Sequence, residues 1–461
     1  MTDGPYRELK VARGLCLEAG TILAIDRGYN DYAWFGQLTR GGVFFVTRMK
    51  TNTVYATVDV WQGNRIWNLR WTSGDTYVRW LRVRFLVGGC DLSNQETLEQ
   101  FSACWEGLED PRSGNAGLHD FHELLIIALC AVLCGGRGAV DMALFAKAKE
   151  PFLREFLVLE NGLPSHDTFS RLFRNLDPDQ FRACFQQFMA EFSVQCQGVV
   201  AIDGKVLRRS FDRASGKSAL HMVSAWGCQQ RLVLAQIATD AKSNEITAVP
   251  KLLELLTLKG TIVTADALNC QRAIAEQIVE QKGDYALALK GNQGTLHDDV
   301  VLLLDDPECD AVTAAPVVEG DHGRVETRTA TVSTEIGWLQ KQHQWPGLAA
   351  VGKVVRVRQT PEKTTTETAY YLLSKALAPE RFNEVIRQHW GIENRLHWRL
   401  DVVMNEDQDR TRLGNGPQNL AVLRHMALNA IQKEGSKGSM RGKLKRAGWD
   451  NDYLIKLLEM F

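Results

Sequence analysis

The sequence lacks the features that mark secreted, membrane and zinc-binding proteins. Its ten cysteines include no Cys-x-x-Cys pair. Cys130 and Cys134 lie one helical turn apart in an apolar run, which favours core packing over a metal site. The apolar run Leu124 to Cys134 is too short to span a bilayer, and Met1 to Lys10 is polar, unlike a signal peptide. These absences predict a cytoplasmic protein with reduced cysteines and no membrane partner.

An excess of charge of either sign is also lacking. The chain has 54 Lys and Arg against 55 Asp and Glu, a net charge of -1. This balance argues against a nucleic-acid binder that uses its whole surface, but it leaves local basic patches open. The length of 461 residues allows two or three domains, and a hydrophobic content of 45% is that of an ordinary globular protein.

The stretch VVAIDGKVLRRS, Val199 to Ser210, carries an acid at a position where burial of its charge is energetically unfavourable. Four residues suited to a buried strand lead directly into Asp203, and Gly204 and Lys205 then break the pattern. A carboxylate at the end of a buried strand needs a partner. A structural explanation is that Asp203 caps a turn or pairs with Arg208. A functional explanation depends on the elements that follow.

Those elements alternate between strand and helix patterns. The hydrophobic periodicity predicts two further strands, a helix, a strand, a helix and a last strand. A mixed sheet covered by helices, an α/β fold, is the expected result. The strand that ends at Asp266 would bring that acid beside Asp203 if the two strands are neighbours. The predicted elements are His221 to Gly227, Arg231 to Thr239, Asn244 to Leu258, Gly260 to Asp266, Cys270 to Lys282 and Asp284 to Lys290.

A third acid lies on a later helix pattern, Arg381 to Leu400, whose inward stripe contains Trp390 and Glu393. Three carboxylates that converge form an oxygen-rich site suited to Mg²⁺, with Mn²⁺ as a substitute. The rivals of Glu393 for the third position are Asp401, Glu406 and Asp407.

The order of these elements and motifs resembles that of DDE transposases with an RNase H-like core. AIDGKVLR, TADALNCQ, ALKGNQG and RQHWGIENRLHWRLDVVMNED are closest to the ISAs1 family of bacterial insertion-sequence transposases. The resemblance implies that Asp203, Asp266 and Glu393 are the catalytic, metal-binding triad. Related IS4-type enzymes carry a Tyr and an Arg where this chain has Ile386 and His389.

The resemblance also implies an activity: cleavage of transposon ends and their joining to target DNA, with two metal ions flanking the scissile phosphate and a homodimer in the DNA complex. Two alternatives remain, a nuclease that cuts without joining and an inactive relic that only binds DNA. The residues predicted to contact DNA are Lys205, Arg208, Lys290, Arg387, His389, Arg441, Lys443, Lys445 and Arg446.

The region before the triad divides into three predicted segments. Residues 1–54 resemble the second-Asp region of an IS4-type transposase; an internal repeat is the alternative, because Asp26 to Lys50 and Asp266 to Lys290 share one spacing. Residues 55–93, rich in Trp and Arg, are a poorly defined junction or a single-strand binder. Residues 94–197 form a helical, transposase-associated domain, in which the helix after Ser165 either reads DNA or packs on the core.

The remaining segments are the core and the tail. Residues 198–432 are predicted to form the catalytic core, with a β-rich insertion at about 310–376. Basic side chains on the insertion strands either contact DNA or form a solvated face. Residues 433–461 are predicted to be a basic, flexible run that ends in a short helix, used for phosphate contact or for solubility alone.

Overall fold

A computed structural model describes most of the chain. It covers the backbone of five short strands before residue 82 and then residues 105, 107–191, 197–213, 216–239, 244–321 and 323–461. Asp26 and Lys50, on which the predicted repeat depends, lie outside the described residues. Residues 1–91 and 92–461 form two separate units.

The first unit contains two small sheets. Strands β1 (Ile22–Ile25) and β2 (Phe44–Thr47) pair in parallel. Strands β3 (Ala56–Asp59), β4 (Ile66–Arg70) and β5 (Tyr77–Leu81) pair antiparallel in sequence order.

The second unit begins with helices. They are α1 (Phe121–Leu133), α2 (Ala139–Ala148), α3 (Glu150–Leu153), α4 (His166–Asn175) and α5 (Pro178–Glu191). Helix α1 is buried on nearly every side, as its continuous apolar sequence predicts, and Cys130 packs in its core. The predicted N-cap of α4 is confirmed: the Ser165 side chain accepts a hydrogen bond from the Thr168 amide.

One mixed sheet of ten strands follows. Its core strands are β6 (Gly198–Val206), β7 (His221–Gly227), β8 (Leu232–Thr239), β9 (Thr261–Ala265) and β10 (Asp284–Leu289). Their spatial order is β8-β7-β6-β9-β10, with β6, β9 and β10 parallel to one another. Helices α6 (Glu245–Glu254) and α7 (Arg272–Glu280) supply the connections to β9 and β10.

The predicted end of β6 was wrong. The strand does not stop at Asp203 but continues through Gly204 and Lys205 to Val206, because β7 pairs with it over that length. Asp203 instead marks the point where the parallel pairing with β9 ends, after Ile202.

The strands of the predicted insertion extend the same sheet. They are β11 (Ala311–Thr313), β12 (Val317–Asp321), β13 (Arg324–Ser333), β14 (Ala350–Gln359) and β15 (Thr364–Leu373). Strand β15 pairs antiparallel with β10, so core and insertion share one continuous hydrogen-bonded sheet. Two helices adjoin it, α8 (Thr295–Asp305) and α9 (Gly337–His343).

The chain after the sheet is helical. It forms α10 (Pro379–His389), a π-helical segment (Ile392–His397), α11 (Trp398–Val402), α12 (Gly416–Lys433), α13 (Met440–Trp449) and α14 (Asn451–Leu458). Helix α10 packs on β6 and β9, and α12 packs on β8 and on α1, α4 and α5. In the described part of the chain no helix is both long and apolar enough to cross a membrane.

The prediction of a flexible basic tail was wrong. Residues 440–458 form two helices whose Leu444, Leu454 and Leu457 are buried, and Phe461 stacks on Phe188 with ring centroids 4.3 Å apart. The apolar stripe of these helices outweighs the charge of the segment, because burial of such side chains favours an ordered, docked helix.

Candidate active site

Asp203 and Asp266 lie side by side, as their positions in the sequence predict. Ile202 of β6 and Ala265 of β9 are register partners in a parallel pair, and each acid directly follows. Neighbouring strands are about 4.8 Å apart, so the two carboxylates share one edge of the sheet. Asp266 also caps the short turn Ala267–Asn269, where its Oδ1 accepts from the Asn269 amide at 3.2 Å and from the Asn269 side chain at 3.0 Å.

Glu393 lies in the π-helical segment that follows α10. The sequence placed Trp390 and Glu393 on the inward stripe, and this was wrong: Trp390 is 41% exposed and Glu393 is exposed too. A π-helical turn holds more residues than an α-helical turn, so it rotates side chains away from the α-helical stripe, and such segments are frequent at functional sites. Ile392 and Leu396 anchor the segment in the core and leave Glu393 free to face solvent.

The electrostatics of Asp203 link the three acids. Burial is the largest cause that raises the pKa of Asp203, and together with the nearby carboxylates of Asp266, Glu393 and Glu245 it brings that pKa to about 7, against one lowering hydrogen bond from the Gly204 amide. Among the described residues, the basic side chain that contacts Asp203 is His397, whose Nδ1 lies 3.6 Å from Asp203 Oδ2. Burial lowers the pKa of His397 to about 4, so this imidazole is neutral at pH 7 and leaves the acids without a counter-charge.

The rival acids share Lys205, two positions after Asp203, as a counter-ion. Its buried ammonium lies 2.7 Å from Asp401, 3.0 Å from Glu406 and 3.2 Å from Asp407. Burial alone would raise the pKa of Glu406, but Lys205 and Arg424 outweigh it and hold that pKa below its usual value. By contrast, no cation of the described residues forms an ion pair with Asp266 or Glu393, which favours Glu393 as the third acid of the site.

A buried polar network supports Asp266 from behind. The Asn269 side chain donates to Asp266 and also to Glu245 Oε2 at 3.1 Å, and Glu245 pairs closely with His221. Both Glu245 and His221 are only 1% exposed. No sequence pattern identified Asn269, Glu245 or His221 as parts of the site, although the capping pattern Asp-x-x-Asn at 266–269 is a signal for Asn269.

Gly204 is required by this network. A Cβ built on Gly204 would lie 2.1 Å from His221 Nε2 and 2.5 Å from Glu245 Oε1, too close for any heavy atom. Glycine here therefore provides clearance for the buried contact between His221 and Glu245 and does not end a strand. We expect Gly204→Ala to lower the free energy of unfolding by about 1–3 kcal/mol, the cost of overpacking a filled core. Urea unfolding measures this; equal midpoints for Gly204→Ala and the wild type would contradict the packing described here.

The predicted DNA contacts have different surroundings. Lys205 is buried among carboxylates, so it faces acids, and Arg208, 77% exposed, contacts Asp407. Lys290 is exposed just after β10, at the edge that carries Asp266. Arg387 pairs with Glu319 at 2.6 Å. His389 bonds to Thr264, and burial lowers its pKa to about 4, so it brings no positive charge to this edge at pH 7.

The predicted contacts of the C-terminal segment are also mixed. Arg441 and Lys445 are exposed on α13, and Arg446 lies over the Tyr453 ring near Asp450. Lys443 instead binds Glu434 at 2.9 Å. On the insertion, Arg328, Lys353, Arg356 and Arg358 each contact a carboxylate, so little of this face is uncompensated positive charge.

The residues present suit a divalent cation. Asp203, Asp266 and Glu393 offer hard oxygen donors, and the charges of Asp266 and Glu393 add to the burial that raises the pKa of Asp203. Within the described residues, no group of three Asp, Glu, His or Cys side chains is already close enough to hold a metal ion. Binding of a cation would therefore draw the carboxylates together.

Comparison with known proteins is consistent with this geometry. The family model described as Transposase DDE domain matches residues 194–430, and one described as DDE_Tnp_1-associated matches residues 102–189. The chain belongs to the DDE transposase family. The family match spans the paired aspartates, the insertion and the Glu393 segment.

Curated relatives of this DDE family member extend over most of its length. YhhI, an H repeat-associated protein of Escherichia coli (strain K12), is 38% identical over 74% of this chain and 92% of its own. YncI of Escherichia coli O157:H7 is 35% identical over 80% of this chain and 95% of its own. A shorter relative of strain K12, named "Inactive transposase YbfQ", is 34% identical over 12% of this chain.

Proposed function

We propose that this DDE family member is a transposase of the ISAs1 type, which cleaves transposon ends and joins them to target DNA by metal-dependent phosphoryl transfer. The observation that carries the proposal is the placement of three acids. Asp203 and Asp266 follow register partners on adjacent parallel strands, and the charge of Glu393 acts on Asp203. No cation of the described residues neutralises the site, so it suits Mg²⁺, or Mn²⁺ in its place.

The fold supports the same proposal. Three antiparallel strands, β8-β7-β6, continue into the parallel strands β9 and β10, each preceded by a helix. This is the arrangement of an RNase H-like core. The site lies where the parallel pairing of β6 with β9 ends, at the carboxyl end of β9. Ligands bind at the carboxyl ends of strands in open α/β sheets.

The side chains divide the chemical work. A divalent cation held by Asp203, Asp266 and Glu393 supplies Lewis-acid polarisation of the phosphodiester and a stronger water nucleophile. The chain itself positions the carboxylates: Asn269 orients Asp266, and the buried Glu245 orients Asn269. Lys290 is exposed at the same edge and is suited to hold a phosphate. Lys205 pairs with Asp401 of α11 and with Asp407, so both of these acids already have a cationic partner.

Glu393→Gln tests the choice of the third acid. We expect Mg²⁺-dependent nicking of DNA that carries the element's own ends to fall by about 100-fold or more, since even loss of a residue behind the ligands costs up to about 100-fold. The matched control is Glu384→Gln, an exposed acid on α10 that pairs with Arg381 and lies outside the site. Nicking and joining products are followed on denaturing gels at equal protein concentration.

The products separate the proposal from its alternatives. Full activity in Glu393→Gln with loss in Asp401→Asn would show that the third acid was wrongly assigned. Nicked ends that never join to target DNA would indicate a nuclease. DNA binding without any cutting by the wild type would indicate an inactive relic and would end the enzyme proposal.

A further inference from the structure

A basic cavity lies beside α11, the helix that follows the π-helical segment with Glu393. A cavity of about 380 Å³ is lined by Arg231 of the β7–β8 turn, Arg399 of α11, the end of α12 and the Gly-rich loop 435–438. Its volume is within the range of about 300–1,000 Å³ for ligand clefts. We call it the arginine pocket; its cationic side chains are Arg231, Arg399, Lys437 and Lys443.

The positive charge of the arginine pocket is not compensated. Its one acidic lining residue, Glu434, is saturated by Lys443 and Lys456 at 2.9 Å each, with Tyr453 and Ser436 as further donors. In the described part of the chain, no carboxylate forms an ion pair with Arg231 or Arg399. Burial lowers the pKa of Arg399, and the like charges of Arg395 and Arg231 lower it further, so these guanidinium groups repel one another.

Two features hold the arginines in place. Arg399 donates to Gln432 at 2.6 Å, which directs its guanidinium to the cavity wall. Arg231 has a left-handed backbone with φ of 60°, a conformation that costs a non-glycine residue about 1 kcal/mol or more. Guanidinium groups that repel one another and have no carboxylate partner among the described residues are suited to an anionic ligand.

We infer that the arginine pocket binds a backbone phosphate of the DNA, away from the scissile bond. This rests on the proposed function, because it takes the ligand to be the DNA that the three acids cleave. Arg399 comes six residues after Glu393, across the π-helical segment, so the pocket adjoins the part of the chain that carries the third acid.

The test measures DNA affinity against salt for the full chain. Arg231→Gly suits the left-handed backbone and therefore preserves the turn, Arg399→Gln keeps a polar side chain beside Gln432, and Lys437→Gln changes an exposed loop residue. A double variant, Lys375→Gln with Arg381→Gln, removes one exposed and one half-buried positive charge elsewhere and is the matched control. The probes are a labelled duplex of the element's end, the same duplex with single neutral methylphosphonates, and inorganic phosphate.

We expect the Arg231→Gly/Arg399→Gln variant to bind the duplex about tenfold more weakly or worse. The slope of log affinity against log salt should fall by about 1, near 0.9 for the one lost phosphate contact. A methylphosphonate at one position near the cleavage point should weaken binding by the wild type but not by this variant.

Two outcomes would overturn the inference. Affinity and salt slope equal to those of the control variant would show that the pocket does not contact DNA. Thermal stabilisation of the wild type by inorganic phosphate, with DNA affinity unchanged in the variant, would show a site for free anions only. Nicking of the duplex is measured for the same proteins. If the wild type cuts and the variant binds DNA normally, this inference alone fails. If the wild type never cuts, the proposed function fails.

Discussion

Lys205→Met is expected to lower the free energy of unfolding by about 3–5 kcal/mol, because it removes one member of a buried charge cluster and leaves the others. Lys205 is 9% exposed and is the cation shared by Asp401, Glu406 and Asp407. Met fills a similar volume, so the loss is electrostatic. Urea unfolding at neutral pH, followed by tryptophan fluorescence and circular dichroism, measures the change.

The control for this prediction is Arg208→Met. Arg208 also contacts Asp407, at 3.3 Å, but its side chain is 77% exposed, and exposed ion pairs contribute about 0–1 kcal/mol. Adding Glu406→Gln to Lys205→Met removes one stranded charge and should restore part of the stability. Equal stabilities for Lys205→Met and Arg208→Met would contradict the assignment of Lys205 as the buried cation shared by Asp401, Glu406 and Asp407.

Asp203→Asn is expected to move activity and stability in opposite directions. Cleavage should fall by about 1,000-fold, since several kcal/mol of charge stabilisation is lost at 1.36 kcal/mol per tenfold. In the absence of divalent metal the variant should be more stable than the wild type at pH 8. The pKa of Asp203 is raised from 3.8 to about 7, so folding opposes ionisation of this group.

The pH dependence gives the sign of this effect. A raised pKa contributes stability that is fully present below pH 3.8 and is lost as the pH rises through about 7. Asn has no such loss, so the advantage of the variant should grow from about pH 4 to pH 7 and then level off. At 1.36 kcal/mol per pKa unit its upper limit is about 4 kcal/mol. A constant difference across this range would show that Asp203 is not a destabilising acid.

Local patterns predicted the placement of the two aspartates. Buried runs that end at Asp203 and Asp266, separated by a hairpin and a helix, have few arrangements other than parallel neighbours, and Ile202 and Ala265 are indeed partners. The partners of Lys205 could not be predicted in this way. Asp407 lies 202 positions away in sequence, and nothing in a local window indicates that pairing.

The assumption of regular α-helical periodicity gave a wrong burial for the third acid. Counting at α-helical spacing placed Glu393 with Ile386 and Leu400 on one buried stripe, although the π-helical segment rotates it outward. The charge of Arg441 and Lys445 likewise hid the apolar stripe of α13 and α14. In both cases tertiary packing decided the outcome, because the buried residues on the opposite side bind the helix to the core.

The position of a bound cation tests the central claim most directly. Crystals of the full chain grown with Mn²⁺ would reveal the ion by its anomalous scattering. We predict a peak between Asp203 and Asp266, with a Glu393 oxygen about 2.0–2.3 Å from the ion, and its loss in Asp203→Asn. A peak at Asp401 and Asp407 instead, or no peak at the three acids under conditions in which the same protein cuts DNA, would contradict the account.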